Sequence, residues 1–404
     1  MIFDMIKEKY IDTIKSRVDI SQLVMDLCPG TSLLNAGKNR KKCCCVFHSE
    51  KTPSLMLDLS LNMFKCFGCG KCCDIISFVQ ELKGFDFVEA VKFLLKTYCP
   101  DVDTSDLYSK QTDEEIEAEQ HRESLFICNK FAYDFFRQQY EADCEESARC
   151  RLYAEDRWER EFCKTLGLGY APLKGNQFLA FARKQGLKTE LLLELGLIAQ
   201  EENHPDHYYD FYRGRLMIPQ RDRYGRIVTF TARSLNPQAT NKYLNGKDSP
   251  IYKKSLSIFG IDVALKAARQ SGKVYLVEGA PDVMRLQSLG IPNVVASLGG
   301  AWSKEQLNTS SRFGCSLCFI PDADVPKEGE RFGKGEQFVF KNGRLATELG
   351  FQVSVREIPT DGKVKQDADS YITSMDQWET LTEKDFILWY ADKHYDTEST
   401  NDDQ

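Results

Sequence analysis

The chain has 404 residues, 42% of them hydrophobic, with a formal net charge of −7. That length predicts two or three domains with enough apolar material for packed cores. No run of about 18 uncharged apolar residues occurs, which excludes a membrane span, and the start lacks the apolar block of an export signal, which predicts a cytoplasmic chain. Residues 1–27 predict one helix, with Ile2, Met5, Ile6, Tyr10 and Ile14 near helical spacing. Residues 40–70 are short, cysteine-punctuated and glycine-containing, which suits a ribbon of strands and turns. Helical periodicity returns from Ile75 to Leu95.

An acidic stretch follows, with nine acids against two bases from Asp101 to Glu123, and predicts a flexible linker, helical at its end. Residues 126–140 predict an amphipathic helix whose Phe131, Phe135 and Phe136 pack a core. From Lys273 strands and helices alternate (VYLVEG, PDVMRLQSLG, NVVASL, SKEQLNTS, SLCFIPDAD, RLATELG, FQVSVREI), which predicts a parallel sheet with crossover helices. The net charge conceals its distribution. Phe211 to Lys254 holds ten Lys/Arg against two Asp, while Asp376 to Gln404 is as acidic as the linker. A basic central stretch masked by acidic segments points to nucleic acid or nucleotide as partner.

Seven of the fifteen cysteines lie between Cys43 and Cys73. Clustering without an export signal favours metal ligation over a disulfide framework. Cys45-x-x-His48 and Cys66-x-x-Cys69 form two ligand pairs separated by seventeen residues. Each knuckle presents two ligands to one point, so together they predict one closed, structural Zn²⁺ site. Cys43, Cys44, Cys72 and Cys73 are near enough to substitute. Cys315-x-x-Cys318 lies in an apolar strand without a matching pair and predicts two core cysteines.

A second constellation is acidic. Glu278-Gly279-x-x-Asp282, Asp322-Ala323-Asp324 and Asp367-Ala368-Asp369 each follow a predicted strand. Loops at the carboxyl ends of parallel strands gather on one edge, so these acids should converge. Crowded carboxylates with hard oxygen ligands predict Mg²⁺ or Mn²⁺ and phosphoryl-transfer chemistry. Gly329 to Gly335 has the wrong spacing for a phosphate loop.

The run His48-Ser49-Glu50-Lys51-Thr52-Pro53-Ser54, followed by Cys66-Phe67-Gly68-Cys69-Gly70, is similar to the zinc-binding domain of DnaG-type bacterial primases. It departs from the family at Val46 and at Cys72-Cys73. The acidic set resembles the Toprim fold, with a longer loop after Asp324. Gly167-Leu168-Gly169-Tyr170-Ala171-Pro172, Tyr212 to Pro219, Gly225 to Val228, Thr231-Ala232-Arg233 and Lys242 to Asn245 resemble the primase core that precedes Toprim.

The resemblance implies an α+β and α/β multidomain chain. Its parts would be a zinc ribbon (1–99), an acidic linker (100–124), a mixed α/β basic subdomain (125–270), a Toprim parallel-sheet domain (271–375) and a short acidic helical tail (376–404). It implies RNA primer synthesis on single-stranded DNA from ribonucleoside triphosphates. Glu278, Asp322 and Asp324 would be catalytic. Glu278, Asp282, Asp322, Asp324, Asp367 and Asp369 would hold magnesium, and Arg213, Arg215, Arg233, Lys242 and Lys254 would contact template or nucleotide. A replicative helicase acting in trans and a monomeric state complete the expectation. Residues 376–404 are too few for the family's helicase-docking domain, which favours a phage or mobile-element member. A mobile-element protein with altered product, a DNA-binding protein without activity, and a Toprim nuclease are the alternatives.

Overall fold

The computed structural model describes residues 5–109, 113–299, 301–311, 316–359 and 364–395. It contains two compact units, one in the main up to Ala118 and the other from Glu119 onward. Among the described residues no helix is long and apolar enough to cross a membrane.

In the first unit, the single helix expected over residues 1–27 is two, Glu8–Arg17 and Ile20–Leu27. Asp19 causes the break. Its carboxylate accepts the Ser21 and Gln22 amides at 2.8 and 3.0 Å, satisfying donors that a continuous helix would have bonded elsewhere. The ribbon is a five-stranded antiparallel sheet in the order Leu34–Asn35, Arg40–Cys43, Leu55–Asp58, Met63–Cys66, Cys72–Asp74. Along Leu55–Asp58 the residues alternate, with Leu55 and Leu57 fully buried, so one face meets the core. Phe64 packs there against Phe47 and Phe78, with ring centroids 5.5 and 5.3 Å apart. Two helices follow, Ile75–Lys83, capped by Asp74, and Phe87–Tyr98, opened by a reciprocal Asp86–Glu89 capping box.

The segment expected as an acidic linker is held at one end and helical at the other. Asp101 pairs with Arg17 at 2.6 Å, and Asp106 pairs with Lys7 and Lys9 at 2.8 and 2.7 Å. From Asp113 the chain is helical through Glu141, with Asp113, Glu114 and Glu115 in the first turn, where the helix dipole favours acids. The helix expected over 126–140 is the later part of this element.

The second unit carries two main sheets. One is antiparallel, ordered Tyr243–Asn245, Ile227–Ser234, Arg215–Arg221, Gly169–Ala171. The other is ordered Val294–Ala296, Lys273–Val277, Ser316–Phe319, Val353–Arg356, Glu383–Asp385. Its first four strands run parallel, as the alternating pattern predicts, and the last is antiparallel. Glu383–Asp385 belongs to the segment expected as a helical tail, which therefore closes the sheet before the helix Phe386–Tyr395. A core running through Val277, Val283, Met284, Ile320, Ile358 and Ile372 lies beneath the ends of the parallel strands. Cys318 is buried in its strand, in keeping with a core cysteine, whereas Cys315 lies outside the described residues.

Candidate functional site

In the ribbon, Cys45, His48, Cys66 and Cys69 each bring a ligand atom within 4.8 Å of the other three. Cys45 Sγ and Cys69 Sγ are 3.8 Å apart, as are Cys66 Sγ and His48 Nδ1. A tetrahedron with ligands about 2.3 Å from zinc has edges of about 3.8 Å, so the donor set fits Zn²⁺ in both chemistry and size. Backbone N–H groups point at the sulfurs. Phe47 N lies 3.4 Å from Cys45 Sγ, and the Gly68 and Cys69 amides lie 3.3 Å from Cys66 Sγ.

Glu50 organises this site from behind. It accepts the Cys45 and Ser54 amides at 2.6 and 3.0 Å, and its other oxygen sits 3.1 Å from His48 Nε2. His48 Nε2 is thus directed at the carboxylate, leaving Nδ1 for the metal, and such a partner raises ligand basicity. The motif run contains Glu50, but nothing in its spacing distinguishes this role from that of a surface charge.

The acidic residues follow strands on the carboxyl edge of the parallel sheet. Glu278, Asp322 and Asp324 come together, with carboxylate oxygens within 4.8 Å of one another. The Asp322 amide points at Glu278 Oε1 from 3.4 Å. Burial and the neighbouring Asp322 push Glu278 up to about 7, and burial pushes Asp322 up to about 6. Carboxylates so crowded resist ionisation unless a cation joins them, which is the fit expected of a divalent-metal site. Gly335 makes the local geometry possible. Its amide donates to Asp324 Oδ2 at 2.9 Å, and a Cβ there would collide with the Asp322 carbonyl.

Among the described residues, Lys365 supplies the cation that bridges two members of this trio. Its ammonium lies 2.8 Å from Asp322 Oδ2 and 2.9 Å from Asp324 Oδ1. Burial alone would lower Lys365, but the hydrogen bonds to Asp322 and Asp324 hold it above its ordinary value.

The other three expected metal ligands are engaged otherwise. Asp282 is buried, and its oxygens receive the Gly279 and Asp369 amides, each at 3.1 Å. Burial and the nearby Asp322 push it well above its usual range. Asp367 caps the helix Ala368–Tyr371 through the Ser370 amide at 2.8 Å. Asp369, 2% exposed, is bonded by Arg157, by Trp158 Nε1 at 3.1 Å and by Arg285 at 3.4 Å. Two arginines therefore hold Asp369, while Asp282 accepts backbone amides.

The five basic residues divide into two groups. Arg233 bonds the Tyr153 hydroxyl at 3.1 Å and lies over the Tyr243 ring at 5.0 Å. The same Tyr153 hydroxyl takes a bond from Arg157 at 3.2 Å, and Arg157 pairs with Asp369, so hydrogen bonds link this cluster to the buried acids Asp369 and Asp282. Arg215 shares the strand end with Arg233, and burial followed by repulsion from Arg233 lowers it. The exposed Lys254 runs beside Gly299, beyond the end of the strand Val294–Ala296, on the same sheet edge. Arg213 bonds Asn176 at 2.6 Å and stacks over Tyr209, whereas Lys242 is exposed on an outer strand boundary. Arg157, Arg285 and Lys365 escape sequence reasoning because none is part of a spaced motif.

Three family models match in succession: the CHC2 zinc finger over residues 6–110, the DNA primase catalytic core N-terminal domain over 135–265, and the Toprim-like model over 275–372. The chain is 31% identical to the DNA primase of Clostridium acetobutylicum over 363 residues, covering 89% of this chain and 56% of that protein. It thus spans little more than half the length of that relative. The zinc-binding and RNA polymerase domains of the Aquifex aeolicus primase align with a TM-score of 0.56 at 26% identity, covering 93% of this chain and 86% of that one. The RNA polymerase domain of Mycobacterium tuberculosis primase DnaG, in complex with a double-stranded DNA oligomer with a 6-nucleotide overhang, aligns at 0.53 and 26%, covering 65% of this chain and 81% of that one. The chain thus carries the domain set of DnaG-type primases, a zinc ribbon, a primase catalytic core N-terminal domain and a Toprim-like domain in that order. These matches support zinc in the ribbon and a divalent cation in the Toprim pocket.

Proposed function

We propose that this chain is a DNA primase, a DNA-directed RNA polymerase that makes short RNA primers on single-stranded DNA from ribonucleoside triphosphates. The observation that carries this reading is the convergence of Glu278, Asp322 and Asp324 at the carboxyl ends of the parallel strands, in the same unit as the basic strands that carry Arg215 and Arg233. Glu278, Asp322 and Asp324 would hold Mg²⁺ or Mn²⁺, which supplies charge neutralisation at the triphosphate and activation of a 3′ hydroxyl.

The chain's own residues do the rest. Arg215 and Arg233 present guanidinium forks suited to phosphate oxygens, and Lys254 adds a point charge on the same edge. Glu278, as the ionised carboxylate, would take the proton from the attacking hydroxyl. Asp282 accepts backbone amides, two arginines hold Asp369, and Asp367 fixes the turn that carries Lys365. Arg213 and Lys242 extend the basic surface along the template path. The DNA complex of the mycobacterial relative supports a nucleic-acid partner for this surface.

The test is labelled ribonucleotide incorporation on single-stranded DNA libraries with Mg²⁺ or Mn²⁺. Short RNA products dependent on template and on Glu278 are expected. Degradation of the DNA without ribonucleotide incorporation would instead favour a Toprim nuclease.

A further inference from the structure

We infer that Lys365 is a tethered counter-ion of the acidic pocket, competing with the divalent cation for Asp322 and Asp324, so that metal entry and release of the Lys365 ammonium are one event. This rests on reading Glu278, Asp322 and Asp324 as the cation's ligands.

The placement is built by the backbone. Ala323, the middle residue of the DxD turn, forms an isolated antiparallel bridge with Gln366, closed by amide–carbonyl bonds of 2.7 and 3.1 Å. In an antiparallel pair the flanking residues oppose one another, here Asp324 with Lys365 and Asp322 with Asp367. One cross-strand pair is thus attractive and the other repulsive, and Lys365 spans both aspartates at 2.8 and 2.9 Å. The carboxylates it bridges are 11% exposed, while the lysine side chain is 54% exposed. The anionic end of the contact is therefore fixed and nearly dry, whereas the cationic end hangs on a flexible stem with an open route to water.

An ammonium is a compact point charge with three donors, so it satisfies oxygens that a hard cation would otherwise coordinate. A divalent ion bound about 2.1 Å from the same two carboxylates would sit within a few ångströms of that ammonium, and the two positive charges repel. Both cannot be held by the same oxygens, and the residue with the solvent-exposed stem is the one that leaves. Lys365 offsets the repulsion among the three acids, and it would weaken metal binding by the strength of the contacts it gives up.

The experiment is Mn²⁺ titration of the full zinc-loaded chain, followed by the paramagnetic resonance signal of free Mn²⁺. Lys365→Met should bind Mn²⁺ roughly tenfold more tightly, and Lys365→Arg, which keeps the charge, should stay close to the unsubstituted chain. Mn²⁺ should also raise the melting temperature of Lys365→Met by more than that of the unsubstituted chain. A second readout needs no variant. Mass-spectrometric acylation of lysine amines should increase at Lys365 when Mn²⁺ is added, because the amine is released. Equal or weaker Mn²⁺ binding by folded Lys365→Met, or unchanged or reduced acylation on metal addition, overturns the proposal. Asp322→Asn separates the two layers. If it leaves Mn²⁺ affinity intact, the reading of the pocket as the metal site fails, and not merely the role of Lys365.

Discussion

The ribbon and the acidic pocket both assemble cation ligands from separate turns, yet they solve the electrostatics differently. In the ribbon, four ligand atoms close a tetrahedron of fixed size, sulfur-directed amides surround it, and Glu50 locks the histidine. Nothing is left for a substrate, as befits a site whose product is the fold. In the pocket, three carboxylates crowd together, Glu278 and Asp322 are pushed up, and a half-exposed lysine stands among them. That arrangement is under electrostatic tension and open to exchange, as befits a site that must take up and give up charge. A structural site is recognised by satisfaction, and a catalytic one by what it leaves unsatisfied.

The largest expected effect tests the closed side of this contrast. Cys66→Ser removes a buried ligand from a set whose metal binding and local folding are coupled, worth on the order of 10 kcal/mol in small zinc modules. Metal analysis should fall from one zinc per chain to none. Amide exchange should accelerate across Arg40–Asp74, while the parallel sheet of the second unit keeps its protection. Retained zinc in this variant would mean that one of the neighbouring cysteines can take over as ligand.

Next comes the open side. Glu278→Gln keeps shape and removes charge, and primer synthesis should drop by about a thousandfold or more, as for loss of a group that acts in the transition state. Affinity for single-stranded DNA, measured by fluorescence anisotropy, should change little, because it comes from the basic cluster. A parallel collapse of binding would show that the acids organise the nucleic-acid surface rather than the chemistry.

How far each region could be read in the sequence follows from the same contrast. The candidate ribbon ligands lie on neighbouring hairpins, so a local rule of spacing suffices to pick out the four that the fold brings together. The acids of the pocket are gathered by sheet topology, and the alternating strand pattern located that edge. It could not separate Glu278, Asp322 and Asp324, which converge, from Asp282 and Asp369, whose carboxylates are spent on backbone amides and arginines. That division depends on side-chain partners such as Arg157, more than 200 residues away from Asp369. The break at Asp19 was missed for a different reason: apolar periodicity continues across it, and only the cap interrupts the helix. The acids at Asp101 and Asp106 looked like linker composition, yet they are partners for Arg17, Lys7 and Lys9. Composition records charge but not pairing.

A subtler test concerns the support behind the zinc ligands. Glu50→Gln retains an acceptor for the Cys45 and Ser54 amides but loses the negative charge facing His48. Zinc should remain bound under ordinary conditions, with affinity lower by about ten- to a hundredfold in competition with a chromophoric chelator. An unchanged affinity would show that the imidazole is oriented by packing alone.

The smallest expected effect concerns the two groups of basic residues. Lys242 is exposed and Arg213 is tied to Asn176 and Tyr209, so neither is drawn into the tyrosine-lined cluster around Arg233. If they meet the template backbone, each contributes one phosphate contact, sequence-independent and released by salt. Lys242→Ala should then weaken single-stranded DNA binding uniformly across sequences, and reduce the slope of log affinity against log salt by about 0.7. Arg233→Ala should differ in kind. Its guanidinium sits among Tyr153 and Tyr243, and Tyr153 is also bonded by Arg157, the partner of Asp369, so its loss should lower the rate of incorporation at saturating template more than it lowers template affinity. Measuring the salt slope and the saturated rate for both variants separates a residue that holds the template from one that serves the reacting phosphates. Equal behaviour of the two would mean that the basic stretch acts as one electrostatic surface, and that the link from Arg233 through Tyr153 and Arg157 to Asp369 has no separate consequence.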